Sequence, residues 1–213
     1  MKKILCVFVA ISLLTSCIRS YTPVTGDLVF QDLDCGELCN AIEKVTSGID
    51  GADFSHVGII SVEEGSAFVY EAIGTGVTKT PFQKFLNRSK DTLLKPKIFV
   101  GRLKVGDQNT ISGAVNFCRS VLGKPYDDVF DIQNESYYCS ELVYEAFRDK
   151  DGNPLFELSP MTYKDPDTGK TFPAWETYFK NLNVEIPEGK PGLNPGGVSK
   201  SAEICIVFRF YQP

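Results

Sequence analysis

The chain carries one histidine, His56, at the head of a strand pattern, F-S-H-V-G-I-I (residues 54–60). Well downstream, a cysteine, Cys139, opens a helical pattern in Y-Y-C-S-E-L-V-Y-E-A-F (137–147). That order constrains the fold. An arrangement that uses both residues must bring a helix N-terminus against a strand laid down earlier in the chain. Imidazole is the side chain whose ordinary pKa lies near neutrality, so a nucleophilic enzyme built from this chain takes His56 as its base. Cys139 is the matching nucleophile. A thiol attacks as thiolate, and a helix N-terminus and a nearby imidazolium both favour that form. Taken alone, a cysteine at a helix start is more often structural, and a lone strand histidine does not reverse that.

A third group follows from strand geometry. The patterns His56 to Val62 and Ala67 to Ile73 flank E-E-G-S, a turn signal. If that turn sets Val62 opposite Ala67, Gly58 lies opposite Glu71. Side chains alternate faces along a strand, so His56, Gly58 and Glu71 then share one face. His56 and Glu71 become a diagonal pair, and Gly58 leaves room between them. Glu71 can then orient the imidazole and stabilise its charged form. The plainer reading makes Glu71 a solvated strand residue.

The N-terminus reads as a targeting segment. Lys2 and Lys3 precede an apolar run from Ile4 to Leu14 and then L-T-S-C (14–17). The run is too short to span a bilayer and fits a signal-peptide core. Small residues before Cys17 look like a bacterial lipobox. That predicts a leader over 1–16, lipidation at Cys17, a tether over 17–24 and one domain over 25–213. The implied location is the cell envelope, on the membrane. In an ordinary secretory signal Cys17 would be incidental. Net charge is −5 and no basic stripe is present, so nucleic acid is a poor partner. Hydrophobic content of 43% supplies a core, which argues against disorder.

Beyond Cys6 and Cys17, five cysteines remain: Cys35, Cys39, Cys118, Cys139 and Cys205. An odd count in an exported chain leaves one free thiol. Cys35 and Cys39 allow a disulfide in an oxidising compartment, but two small half-buried thiols are the preferred reading. A metal site is weakly supported, since no second cysteine pair exists and His56 is distant in sequence. No metal and no cofactor is expected. Strands are read at 26–30 and 98–103, and a closing strand at 204–210. Helices are read at about 35–45, with Asp34 as N-cap and Glu37 completing a capping box, at 80–86, at 109–122 and from Cys139 to Phe147. Residues 47–54 read as loop. Residues 149–200 are rich in Pro, Gly, Asp and Lys, with one ordered patch over 172–179.

The succession G-D-L-V-F, S-H-V-G-I, Y-E-A, G-K-P-Y-D and Y-C-S-E-L-V resembles the permuted papain-like amidases of the YaeF/YiiX group, circularly permuted relatives of NlpC-type cysteine peptidases. The histidine precedes the cysteine, which is the permuted order. The match covers roughly residues 25–148 and the last strand. The resemblance implies an α+β fold, with an antiparallel barrel-like sheet packed against helices. It implies Cys139 as nucleophile, His56 as base and Glu71 as orienting acid. It places Tyr126 near the nucleophile as a substrate-contact or oxyanion-side group. It finds no counterpart for 149–200, which would form one wall of the cleft. The implied reaction is hydrolysis of an amide bond through a thioester, with cell-wall peptide stems or small peptides as substrate. Two rivals stand beside it: acyl transfer or thioester hydrolysis on lipids by the same residues, and a lipoprotein that binds a peptide or glycan without turnover. A cleft lined by long apolar side chains favours the lipid rival; one with carboxylates favours a peptide amine.

Overall fold

The computed structural model describes residues 20–213. The predicted leader and residues 17–19 of the tether, Cys17 among them, lie outside the described residues. A six-stranded antiparallel sheet organises the chain in the order β4-β3-β2-β1-β5-β8. Its strands are β1 (Leu28–Gln31), β2 (His56–Glu63), β3 (Ser66–Ile73), β4 (Gly76–Pro81), β5 (Ile98–Leu103) and β8 (Ile204–Arg209). The β2–β3 register is the one that alternation required, with Val62 opposite Ala67. The turn explains it. Glu64 and Gly65 both have positive φ, 49° and 79°, the two-residue geometry whose twist matches the flanking strands.

Side-chain alternation gives the sheet two apolar faces. On one, Phe30, Val57, Ile59, Tyr70 and Ala72 meet Val115 of α3 (Gln108–Ser120) and Leu142 and Val143 of α4 (Cys139–Ala146). On the other, Val29, Ile60, Val69 and Val100 meet Phe82, Phe85 and Leu86 of α2 (Phe82–Leu86). A third cluster joins Ala41 of α1 (Glu37–Val45) to Tyr163 and to Trp175 and Phe179 of α5 (Pro173–Leu182). Among the described residues, the three clusters draw on the chain from Tyr21 to Tyr211.

Several expectations need correction. Helix α1 starts at Glu37, not Cys35, and its N-cap is Gly36 with no side-chain cap. The carboxylate of Asp34 is taken instead by Lys97 Nζ at 2.7 Å, a partner too far along the chain for any local pattern to show. Cys35 and Cys39 form a disulfide across this helix start rather than two thiols. Gly76–Pro81 forms edge strand β4, so only Phe82–Leu86 of the expected 80–86 helix is helical. Pro81, which ends the strand and starts the helix, sits at a sheet edge, where its missing N–H costs little.

The stretch 149–200 is more ordered than its composition suggests. Besides α5 it forms a two-stranded ribbon, β6 (Ser159–Pro160) with β7 (Pro191–Gly192), and a short helix α6 (Pro195–Ser199). Helix α5 begins with a proline at its first turn, where a missing N–H is harmless.

Candidate active site

Three elements converge at one end of the sheet. His56 is the first residue of β2, Glu71 lies on neighbouring β3, and Cys139 is the first residue of α4. His56 Nε2 lies 2.6 Å from Glu71 Oε2. Gly58 permits that approach, because a Cβ there would clash with Val69 and sit 3.4 Å from Glu71 Cβ. Cys139 lies near enough to the ring to help raise its pKa. With Nε2 engaged by Glu71, Nδ1 is the ring nitrogen left for the sulfur.

All three side chains are sequestered: Cys139 is 7% exposed, His56 4% and Glu71 0%. A buried carboxylate needs partners. Glu71 has two. Arg88 Nη1 donates to Oε2 at 2.7 Å and Arg88 Nη2 to Oε1 at 2.6 Å, the fork that only arginine offers. Burial alone would raise the Glu71 carboxyl, but Arg88 and His56 outweigh it and hold it far below the usual carboxylate range. Burial likewise pushes His56 down, yet Cys139 and Glu71 together lift it from 6.5 to about 9. The imidazole is therefore charged at neutral pH. The Arg88 guanidinium in turn lies 5.1 Å from the centre of the Phe85 ring. Arg88 was not anticipated from sequence. It follows a five-residue helix in a loop, and nothing local marks it as the partner of a residue on β3.

This raised pKa predicts a pH effect on stability. A group whose folded pKa lies above its unfolded value adds stability below the unfolded pKa and loses it as pH rises through the folded one. The His56 contribution is thus complete below 6.5 and lost through about 9. The unfolding midpoint of the wild type should fall over that interval. In His56→Gln the same decline should be absent, which a thermal melt series read from neutral to alkaline pH checks.

The helix start is held by its own residues. Glu141 accepts the Tyr138 N–H at 3.1 Å, and burial pushes the Glu141 carboxyl up to about 8. The first amides of α4, including that of Cys139, have no intrahelical acceptor and can point at an oxyanion. Ser140 Oγ donates to Leu193 O at 3.0 Å, and Leu193 N donates to Tyr138 Oη at 3.2 Å. These two bonds pin the segment after β7 beside the nucleophile helix.

The cleft in front of Cys139 has a volume of about 230 Å³. Its lining draws on α1 (Ile42, Val45), on Tyr126, and on 149–200 through Met161, Tyr163 and Trp175. Residues 149–200 do supply a wall. Tyr126 sits in that lining. Burial, and then the neighbouring Cys139, raise its hydroxyl well above 10, so it stays a neutral donor. Asp127 shapes the loop beneath, accepting from Val129 N at 3.0 Å and Asp131 N at 2.6 Å.

A thiol on a helix start, a charged imidazole and a carboxylate in line form the arrangement of papain-like cysteine hydrolases. Residues 22–207 match the family described as "Permuted papain-like amidase enzyme, YaeF/YiiX, C92 family", and the chain belongs to that family of cysteine peptidases and amidases. It is 27% identical over 167 residues to the uncharacterized protein YiiX of Escherichia coli strain K12, which covers 78% of each chain. The crystal structure of YiiX from Escherichia coli O157:H7 superposes with a TM-score of 0.72 at 23% identity, covering 90% of this chain and 100% of that one. At that identity the likeness shows the fold alone.

The O157:H7 protein is called a metalloprotein. Among the described residues here, no group of three or more His, Cys, Asp or Glu side chains is placed to hold a metal ion. The donors at the site are already committed to one another, His56 to Glu71 and both oxygens of Glu71 to Arg88. They do not fit a metal, and no step is derived through one.

Proposed function

We propose that this protein hydrolyses an amide bond through a thioester on Cys139. The observation that carries the reading is the line from Cys139 through His56 to Glu71, with Nε2 and Oε2 2.6 Å apart. The Cys139 thiolate attacks the carbonyl carbon. Charge moves to the carbonyl oxygen, which accepts from the Cys139 N–H and the neutral Tyr126 hydroxyl, both of them in the cleft lining. The imidazolium gives its proton to the leaving amine. His56 then takes a proton from water, which displaces the acyl group from sulfur and regenerates the thiol. Glu71 keeps the ring oriented and its charged form favoured, and it does not exchange a proton itself.

The volume of the cleft limits the acyl group. At about 230 Å³ it falls below the roughly 300–1,000 Å³ of pockets for drug-sized ligands. A short acyl group or a single amino-acid side chain fills it. Cell-wall peptide stems and small peptides remain the substrate reading drawn from the family. One observation favours the lipid rival: the lining carries no charged side chain and includes Ile42, Val45, Phe130, Met161 and Trp175. A paired assay separates the two. Small peptides and N-acyl amides of increasing chain length are incubated with hydroxylamine, which captures a thioester as a hydroxamate. Hydroxamate from peptides alone supports the peptide reading, and from long-chain amides alone the lipid one. Hydroxamate from neither, with Cys139 inert to electrophiles, leaves a binding protein.

We also propose that the protein is an envelope lipoprotein anchored at Cys17, on the L-T-S-C signal. Cys17→Ser should move the protein out of the washed membrane pellet without lowering its unfolding midpoint. Retention in the pellet with an unmodified residue 17 contradicts the anchor.

A further inference from the structure

The loop between α2 and β5 carries a feature that neither the fold nor the hydrolytic site explains. Leu93 is 70% exposed and Leu94 76%. The loop is a built turn. Asp91 Oδ1 accepts from Leu93 N at 2.9 Å and Lys95 N at 2.8 Å, Asp91 N donates to Lys95 O at 2.8 Å, and Leu94 N donates to Asp91 O at 2.9 Å. Lys90 and Pro96 form a bridge at its base. This turn holds Leu94 at φ +62°, the left-handed region that Gly and Asn enter readily and Leu does not. A leucine there is unfavourable twice, through its backbone and through its exposed side chain, and no packing offsets either.

The surroundings are basic. Residues 84–97 hold five cations (Lys84, Arg88, Lys90, Lys95, Lys97) and one carboxylate (Asp91), in a chain of net charge −5. Arg88 is committed to Glu71, and Lys97 to Asp32 and Asp34. Lys84, Lys90 and Lys95 are exposed, and none is among the ion pairs of the described residues. An apolar tip flanked in sequence by the exposed Lys90 and Lys95 matches an anionic bilayer: the tip enters the boundary below the headgroups and the lysines stay with the phosphates. Two leucines on a turn bury far too little for a protein interface, which needs about 1,000 Å².

The chain also enters the fold nearby. Tyr21 packs on Phe82, the first residue of α2, with ring centres 5.9 Å apart. Helix α2 has five residues, or about 8 Å of length, and its other end leads into this loop.

We propose that Leu93 and Leu94 form a docking tip for an anionic lipid bilayer. Through Arg88 the same loop holds Glu71, so docking sets the hydrolytic site beside the membrane. The inference does not need the Cys17 anchor, and its test removes that anchor. The full chain carrying Cys17→Ser is sedimented with vesicles of phosphatidylglycerol and phosphatidylcholine, or of phosphatidylcholine alone, at low and high salt. It should bind the anionic vesicles only, and less at high salt. Leu93→Asn with Leu94→Asn should weaken partitioning at least roughly tenfold, with an unfolding midpoint equal to or above the wild type, since Asn suits the left-handed position. Lys90→Gln with Lys95→Gln should weaken binding and flatten its salt dependence. No sedimentation with anionic vesicles, or sedimentation unchanged in the leucine variant, overturns the proposal. A dimer in analytical ultracentrifugation that the leucine variant loses, without vesicle binding, would make the tip a contact between copies and overturn it equally.

Discussion

Cys139→Ala removes turnover, by about 10⁴-fold or more, and leaves the protein folded. The sulfur is the only atom in the cleft placed to form a bond to an acyl carbon beside a charged imidazole. Without it, His56 and Glu71 have no nucleophile to serve, and what remains is binding and polarisation. The fold should tolerate the change. Alanine is a strong helix former at the first position of α4, and Cys139 borders the cleft rather than filling the deep core. Its unfolding midpoint should lie within a few degrees of the wild type. Cys139→Ser should be nearly as inactive, because a hydroxyl is far less acidic than a thiol. Substrate should still bind to both variants, which calorimetry on any substrate found by the hydroxamate assay can measure. Wild-type turnover by Cys139→Ala would remove the nucleophile from the account.

The second large effect is expected at a residue that does not touch the reacting atoms. Arg88→Ala leaves the Glu71 carboxylate buried with half its partners gone. Removing one member of a fully buried pair costs about 3–5 kcal/mol; Arg88 is partly exposed while Glu71 is not, so the loss is smaller and the unfolding midpoint should drop by several degrees. The contribution has a defined pH window. Glu71 is held below its ordinary 4.5, so its stabilisation is present above that value and is lost as pH falls through the folded pKa. The gap between wild type and Arg88→Ala should therefore close in acid. As a positioning residue, Arg88 also acts on the chemistry. Glu71 stays ionised at alkaline pH, and with a cation gone from beside the Glu71–His56 pair the imidazolium is favoured further, so the alkaline limb of the activity profile should move up from about 9. A merely structural arginine would lower stability without moving that limb. Arg88→Lys should rescue only part of both effects, since an ammonium cannot bind both carboxylate oxygens in the same fork.

The contrast between Glu71 and Arg88 shows what the sequence could reveal. Glu71 was legible because a two-residue turn and strict alternation fix the register of β2 and β3, so its place relative to His56 follows from counting. Cys139 was legible because a helix start has a local pattern. Arg88 reaches Glu71 from a loop beyond another helix, a tertiary approach that no periodicity encodes. The same holds for Asp34, which reads as a cap until Lys97, brought alongside by β5, claims its carboxylate. The cleft wall from 149–200 was foreseen only as a role. Its position depends on Tyr138 and Ser140 bonding Leu193 across more than fifty residues. Strand β4 was missed because G-V-T-K-T-P lacks a long apolar alternation and serves as a sheet edge.

The central claim, that His56 keeps the Cys139 thiol ready to attack, can be tested without a substrate. Iodoacetamide labelling is followed by peptide mapping at pH 6–7, well below the ordinary thiol pKa of about 8.5. Among the described residues the competing sulfurs are poorly placed. Cys35 and Cys39 are joined, burial pushes Cys118 up to about 12, and the Cys205 thiol donates to Arg102 O at 3.4 Å. Cys139 should be labelled first, and His56→Ala should slow that reaction by at least tenfold at the same pH. Slow, uniform labelling of all free cysteines, unchanged by His56→Ala, would contradict the account.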